Sequence, residues 1–574
     1  MATSIATDDQ STYERSAFPE GRQAEGGAMR FQSCTTVASR PSVSTGCMPA
    51  NRVVPIIFVP GIMGSNLKAK ADIRNGDQNV VIQSDTPVWR VDGTIGLAWN
   101  WAAKQQDQYQ LRFQYDKVAV DDRGKIAVKS AGDAPSHTKR AGLTEEEARA
   151  RGWGTVSAVF YGEFLDWLDS QLNQAQRDMS SGTPVDNHML THLKQVATRN
   201  PSGVQNEAQT PPLTAADIEV LLKVDNPVYA FGYNWLQTNL ESGQALKDFI
   251  QQTIDQNNGR GRSCKKVILV THSMGGLVAR AACTVAGAGD QVAGVFHSVM
   301  PTDGAAATYK RMVSGFGGEP THGMFGWLTD WVGALALGPT GDFVTPALAL
   351  NAGPLELLPN ARYNDGKPWL IVRDPSGVVR QLPLANDPYN EIYLEQSAWW
   401  RLLNEDWLNP AGIYDDFSLK YKKVMSDAQA FHTLVQAKGD FHKNTHAQYG
   451  FDLGYRAYGT VTWQLKKPVE PARHATLQRE HLPNVKPLTG MDIYLRDELG
   501  GVHASLSDPD VQGDGTVPAQ ASAMRVDQAV AAGNLLVRDA GYSHDASYEV
   551  GGKSEGHTAA LQAIVRVLKA EVPA

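Results

Sequence analysis

Three residues able to carry out acyl transfer stand out by type and setting: Ser273, Asp514 and His544. The serine lies in VILVTHSMGGLVARAA, Val267 to Ala282, where an apolar run meets a sharp turn and then a Gly/Ala-rich helix start. A serine hydroxyl is a weak nucleophile. It attacks a carbonyl carbon when a general base takes its proton and an acid orients that base. A strand–serine–helix turn lifts the hydroxyl clear of a sheet edge, and small residues two positions to either side let helix and strand approach closely. Gly275 fills the downstream position. Thr271 fills the upstream one, where glycine is usual, so the pattern reads T-H-S-M-G.

Around such a turn the partners follow in the chain order serine, acid, histidine. Asp514, in VQGDGTVPAQAS, is the preferred acid, because it falls between the last two strand signals. The same Asp-Gly pair also suits an ordinary turn, and Asp508, Asp510 and Asp303 are rivals. For the base, His544 in DAGYSHDAS follows the last strand signal, whereas His557 in EGHTAAL opens the final helix; His544 is preferred. His272 adjoins the serine, so its ring faces away from the place of a base and suits sheet packing or pocket shaping. The oxyanion needs preorganised donors. These are expected from the backbone N–H groups of Met274, just after the serine, and of Ile62 in VPGIMG, where Gly61 and Gly64 let the loop turn beneath the site. A metal reading of His432, Asp440, His442 and His446 is weaker, since His-x-x-x-His gathers two imidazoles only on a helix and Gly439 and Asn444 oppose one. No metal and no cofactor is expected.

These groups need a scaffold. Val53–Val59 and KKVILV are runs of the kind buried on both faces of a parallel sheet. Strand signals recur at Asn226–Trp235, Val292–Met300, Thr445–Phe451 and Asn534–Ala540, with helical rhythm in TNLESGQALKDFIQQTIDQN, MSDAQAFHTLVQ and HTAALQAIVRVLKAE. Strand and helix alternate, which predicts a doubly wound, mostly parallel α/β sheet. The expected organisation is a flexible polar arm over 1–50, a first part of the core over 51–309, a cap or lid insertion over 310–440 and a second part of the core over 441–574. Within the insertion, GMFGWLTDWVGALALG places Phe325, Trp327, Trp331 and Leu335 at spacings that can share one helix face. That face is read either as a lipid-facing lid or as plain core.

Composition narrows the function classes. The 574 residues are 42% hydrophobic and 20% charged, ordinary for a globular chain, and the net charge of −8 argues against nucleic-acid binding. The Lys420–Lys423 cluster is short enough to be a solvated face. The four cysteines, Cys34, Cys47, Cys264 and Cys283, include no Cys-x-x-Cys pair; Cys34 and Cys47 could pair. The N-terminus lacks a basic start and an apolar core of a signal peptide, and no run reaches the ~18 apolar residues of a membrane span. Synthesis in the cytoplasm is expected, with any export by a route independent of a signal peptide.

PIIFVPGIMGSNL, FGYNW, VTHSMGG, the QYG strand, GDGTVP and the SHDAS…GHTAA tail occur in an order that resembles the lecithin:cholesterol acyltransferase-like group of α/β-hydrolases, which includes lysosomal phospholipase and phospholipid:diacylglycerol acyltransferase. The resemblance covers roughly 53–67, 226–305 and 440–570. FGYNW stands where that group has Y-D-W-R, without its Asp and Arg, and residues 310–440 are unmatched. The resemblance implies an α/β-hydrolase fold with Ser273 as nucleophile, Asp514 as acid and His544 as base. It implies a lipase or phospholipase acting on lipid esters, with transient membrane contact. An acyltransferase, in which an alcohol replaces water, and an inactive binding module are the alternatives. The core behind a polar arm also resembles bacterial type VI secretion lipase effectors. That likeness implies delivery into a target cell and, as partners, an immunity protein or a component of the secretion apparatus.

Overall fold

The computed structural model describes residues 51–75, 79–91, 105–128, 142–181, 198–205, 207–316, 340–480 and 491–572, together with three short strands at Arg22–Gln23, Met29–Cys34 and Val43–Met48. Those three strands pair antiparallel, so a small sheet lies within the polar arm of residues 1–50. Alternation in MRFQSC and the β-branched residues of VSTGCM favour extended backbone there. Their register sets Cys34 opposite Val43 and Cys47 opposite Arg30, so the two cysteines stand four positions apart along neighbouring strands.

Six parallel strands form the central sheet: β1 (Ile56–Val59), β2 (Val228–Ala230), β3 (Val267–His272), β4 (Val292–Ser298), β5 (Thr445–Gly450) and β6 (Leu536–Asp539), in the order β2-β1-β3-β4-β5-β6. Their apolar runs are continuous because both faces are covered. Ile57, Val59, Val267 and Leu269 join one apolar cluster, while Ile56, Phe58, Ile268 and Val270 join the other. The period-2 alternation of a strand thus feeds two cores at once. Each buried Val or Ile contributes about 1.5–3 kcal/mol, which makes these strands the rigid base of the molecule.

Five of the helices among the described residues matter most for this frame. They are α1 (Ala158–Ser181), α2 (Asn239–Gly259), α3 (Gly275–Arg280), α4 (Phe417–Ala437) and α5 (Gly556–Glu571). On one face, Leu246, Ile250 and Ile254 of α2 pack with Leu277 and Val278 of α3; on the other, Phe164, Leu165 and Leu168 of α1 pack with Leu561, Ile564 and Val565 of α5. Helix α2 starts where the Thr238 hydroxyl accepts from the N–H of Leu240. Pro55 lacks an N–H and splits the expected Val53–Val59 strand into Arg52–Val53 and β1. Among the described residues no helix is long and apolar enough to cross a membrane.

The expected boundary at residue 440 is not where the core resumes for good. Two excursions from the central sheet, one between β4 and β5 and one between β5 and β6, together build a second six-stranded sheet. It runs Gly377–Leu382, Leu370–Asp374, Val461–Leu465, Gly500–Leu506, Asp492–Asp497, Gln478–Glu480. Trp369, Val372, Trp463 and Leu465 belong to the same apolar cluster as Leu269 and Leu277, so this sheet is continuous with the core. A charge network anchored on buried Arg280 and Asp303 ties the first excursion to α3. Arg280 pairs with Asp440 at 2.6 Å, Asp440 with Arg362 at 2.6 Å, and Asp303 with Arg362 at 3.3 Å and Arg525 at 2.9 Å.

Candidate active site

Ser273 lies between β3 and α3 at φ +51°, a left-handed conformation that is uncommon for a residue with a side chain. Its N–H donates to the Ser298 carbonyl at 2.9 Å, which pins the turn to the end of β4. A Cβ on Gly275 would run into the carbonyl oxygens of Val59 and Pro60. Only glycine lets α3 pack this close to β1. Thr271, the departure at the upstream position, is accommodated by turning its hydroxyl toward His297 on β4, at 3.0 Å from Nδ1.

His544 comes from the loop after β6 and Asp514 from the loop that closes the second excursion. His544 Nε2 lies 2.7 Å from Ser273 Oγ and its Nδ1 lies 2.8 Å from Asp514 Oδ2. The Ser273 residue is 5% exposed and Asp514 1%. The other carboxylate oxygen, Oδ1, accepts from the N–H groups of Thr516 at 3.0 Å and Val517 at 2.7 Å. Those two bonds aim Oδ2 at the imidazole. The His544 N–H donates to the Asp514 carbonyl at 2.8 Å, so backbone and side chain fix the same pair.

The loop after β1 supplies the fourth wall. Gly64 N–H donates to the Gly61 carbonyl at 3.0 Å, and Met63 sits at φ +62°. Trp89 Nε1 donates to the Met63 carbonyl at 2.6 Å. Among the described residues no protein group accepts from the N–H of Ile62 or of Met274. Both donors are therefore uncommitted to protein acceptors among the described residues.

The rival residues are engaged elsewhere. Asp303 is held by Arg362 and Arg525. Asp510 accepts from the N–H groups of Gly459 and Thr460, and Asp508 is an exposed surface residue. His557 stands edge-on to Trp167, ring centroids 4.9 Å apart. Of the metal candidates, His432 bonds Tyr389 and the Glu356 carbonyl, and His442 lies against the backbone of Asn444 and Gly289. His446 accepts from the N–H of Leu535, and Asp440 pairs with two arginines. Among the described residues no three His, Cys, Asp or Glu side chains gather as a metal site. Phe325, Trp327, Trp331 and Leu335 lie outside the described residues.

One residue escaped the sequence reading. Tyr161, in AVFYGEF at the start of α1, reads as a core aromatic on an amphipathic helix. Its hydroxyl instead meets the Gly61 N–H at 3.2 Å and His272 Nδ1 at 3.0 Å. Nothing local in the sequence reports a contact made across 100 residues.

Comparison with known proteins fits this architecture. Residues 204–415 match the model of the alpha/beta hydrolase family. That stretch holds β2, β3, the serine turn and β4, and it ends before Asp514 and His544. A chain of the Tle4–Tli4 complex superposes with a TM-score of 0.69 at 26% identity, covering 90% of this chain and 98% of that one. No curated protein sequence matches. The protein has the α/β-hydrolase fold. That fold and likeness support hydrolase activity in general.

Proposed function

We propose that the protein is a serine carboxylic ester hydrolase, a lipase or phospholipase working through an acyl-enzyme on Ser273. The observation that carries this reading is the unbroken row Ser273 Oγ, His544 Nε2, His544 Nδ1 and Asp514 Oδ2, with contacts of 2.7 and 2.8 Å. His544 takes the hydroxyl proton as Oγ attacks the carbonyl carbon. The developing oxyanion is met by the N–H groups of Ile62 and Met274. His544 then returns the proton to the leaving alcohol, and water repeats the sequence to release the acid. Asp514 holds the proton on Nδ1, so that Nε2 is free to act as base. The residues need no metal or cofactor for these steps.

The choice of lipid esters is supported by the motif order shared with lecithin:cholesterol acyltransferase-like enzymes. The likeness to type VI secretion lipase effectors, together with the similarity to a chain crystallised in a two-component complex, supports an exported effector with a dedicated protein partner. Mixed phospholipid vesicles, incubated with and without added alcohols and followed by mass spectrometry, test the reading. Free fatty acid and lysolipid are expected. Transfer of the acyl group to the alcohol in preference to water would make the protein an acyltransferase, and no fluorophosphonate labelling of Ser273 would make it a binding module. The Phe325, Trp327, Trp331, Leu335 face is proposed to meet aggregated lipid. Polar substitution of Trp327 and Trp331 is expected to depress vesicle hydrolysis well beyond hydrolysis of a short soluble ester. Equal loss of both, with loss of thermal stability, would make the segment plain core.

A further inference from the structure

Behind the serine lies a chain of hydrogen bonds that the acyl-transfer steps do not use. His272 Nε2 faces the backbone carbonyl of His544 at 3.0 Å. A carbonyl only accepts, so Nε2 carries the proton. Nδ1 is then a bare lone pair, and the Tyr161 hydroxyl 3.0 Å away donates to it. That leaves the Tyr161 oxygen to accept from the Gly61 N–H at 3.2 Å. Each bond fixes the direction of the next.

The two ends of this chain matter for the reaction. Gly61 immediately precedes Ile62, one expected oxyanion donor. The His544 carbonyl belongs to the base, whose N–H is already held by Asp514. The loop is seated on the same side chains by contact. A Cβ on Gly61 would come within 2.9 Å of His272 Nδ1, and one on Gly64 within 2.8 Å of the Tyr161 ring. His272 and Tyr161 are both buried. Burial above all, reinforced by neighbouring His544, lowers the His272 pKa to about 3, so the ring stays in the neutral form that this pattern requires.

We propose that Tyr161 and His272 are positioning residues, forming one relay that holds the oxyanion loop and the backbone of the base at a fixed separation on either side of Ser273. Neither side chain touches the reacting atoms. The Tyr161 hydroxyl fixes the loop, and the His272 ring transmits that position to His544. Free motion of the loop would move the Ile62 N–H off the oxyanion, and free motion of the His544 backbone would carry Nε2 away from Oγ. Both faults appear in the chemical step, not in substrate binding. This inference rests on the proposed roles of Ser273 and His544.

The test uses the full chain and five variants: Ser273→Ala, Tyr161→Phe, His272→Gln, His272→Leu and Tyr161→Phe/His272→Leu. Turnover of a short soluble ester, the rate of fluorophosphonate labelling and the melting temperature are measured for each. Deleting one oxyanion donor outright costs about 10²–10³-fold in kcat. Loosening one donor should cost less, so Tyr161→Phe is expected to lower kcat about 10–100-fold. KM and melting temperature should stay near those of the parent, and labelling should slow in parallel. His272→Gln, whose amide N–H can replace Nε2–H, should retain at least about tenfold more turnover than His272→Leu. The double variant should lose no more than His272→Leu, because the relay is already cut. Turnover by Tyr161→Phe within about twofold of the parent would overturn the relay. So would His272→Gln no better than His272→Leu, or a rise in KM that accounts for the whole effect. If Ser273→Ala keeps its activity, the functional reading has failed instead; if Ser273→Ala is dead while Tyr161→Phe is normal, only the relay has failed.

Discussion

The two halves of the candidate site are built in opposite ways. The serine half is local: β3, the turn and α3 are consecutive in sequence, and their geometry follows from one strained φ and one glycine that nothing larger can replace. The acid–base half is assembled at long range, from the loop that closes the second excursion and the loop after β6, and its carboxylate and imidazole are aimed by directed hydrogen bonds. A site of this kind has a nucleophile fixed by sterics and a base fixed by orientation. Damage to the first half should therefore read out as a lost group or a lost fold. Damage to the second should read out as a misdirected proton.

The largest effects are expected from the row itself. Ser273→Ala should abolish turnover with the melting temperature retained, since it removes only a hydroxyl. Asp514→Asn is the sharper test. The N–H groups of Thr516 and Val517 will hold the amide oxygen where Oδ1 sits, so the amide NH₂ points at His544 Nδ1. A donor there forces the imidazole proton onto Nε2, the wrong tautomer, and the expected loss is ~10⁴-fold in kcat. Near-normal hydrolysis by either variant would break the comparison at its root.

A smaller contrast separates the two tail histidines. His544→Ala should cost activity on the scale of the row. His557→Ala removes one edge-on contact with Trp167, worth about 0.5–1.5 kcal/mol of stability, and should leave turnover of the folded enzyme unchanged. The reverse order in steady-state rates would move the base to the start of α5 and dissolve the long-range half as described.

The comparison also shows what the sequence could disclose. Strand β3, the T-H-S-M-G turn and α3 were legible because their signals are contiguous: an apolar run, a turn, small residues. Asp514 and His544 were legible only through chain order and the loops they fall in, and rivals such as Asp303 and His557 had to be weighed. The geometry now distinguishes them by partner, since Asp303 faces arginines and His557 a tryptophan. The second sheet was not legible. Its strands are short, several are half-exposed, and they come from both sides of residue 440, so no single window holds its pattern. Tyr161 was illegible for the same reason, because a hydroxyl aimed at Gly61 looks in sequence like any aromatic on an amphipathic helix.

The charge network around Arg280 probes how far the excursions support the serine half. Arg280 lies on α3 with its side chain 3% exposed, and Asp440 is its carboxylate partner. Burial raises the Asp440 pKa, but the hydrogen bond from Arg362 and the charges of Arg280 and Arg362 outweigh it, and the net direction is below the ordinary 3.8. A depressed carboxylate adds stability that is fully present above its unfolded pKa, near 4, and is lost as pH falls through the lower folded value. Asp440→Asn removes the carboxylate that Arg280 and Arg362 share; Arg280 keeps its bonds to the Thr302 and Asp440 carbonyls, so the cost should fall at or below the about 3–5 kcal/mol of a broken buried pair. Melting curves of parent and variant should differ widely at neutral pH and converge below about pH 4. A gap that persists unchanged in acid would mean that the ion pair is not what secures this excursion.

The smallest expected effect concerns Thr271, where the serine half departs from the usual pattern. If glycine there were required for close packing, Thr271→Gly should improve the enzyme. The structure argues otherwise. Gly275 already gives α3 its approach to β1, and Thr271 spends its side chain on the far side, bonding His297 across the β3–β4 pair. Replacement with glycine would remove that bond, worth about 0.5–1.5 kcal/mol, and add the backbone entropy of glycine within a strand, about 0.5–1 kcal/mol. The Ser273 conformation, held by Ser298 from β4, should not change. Thr271→Gly is thus expected to lose about 1–2.5 kcal/mol in denaturant unfolding, with kcat within about threefold of the parent. A large gain in kcat would show that threonine restrains the turn. A large loss at full stability would show that it helps to set the serine. Only a stability effect with unchanged chemistry fits a nucleophile placed by the glycine and strand on one side of the turn alone.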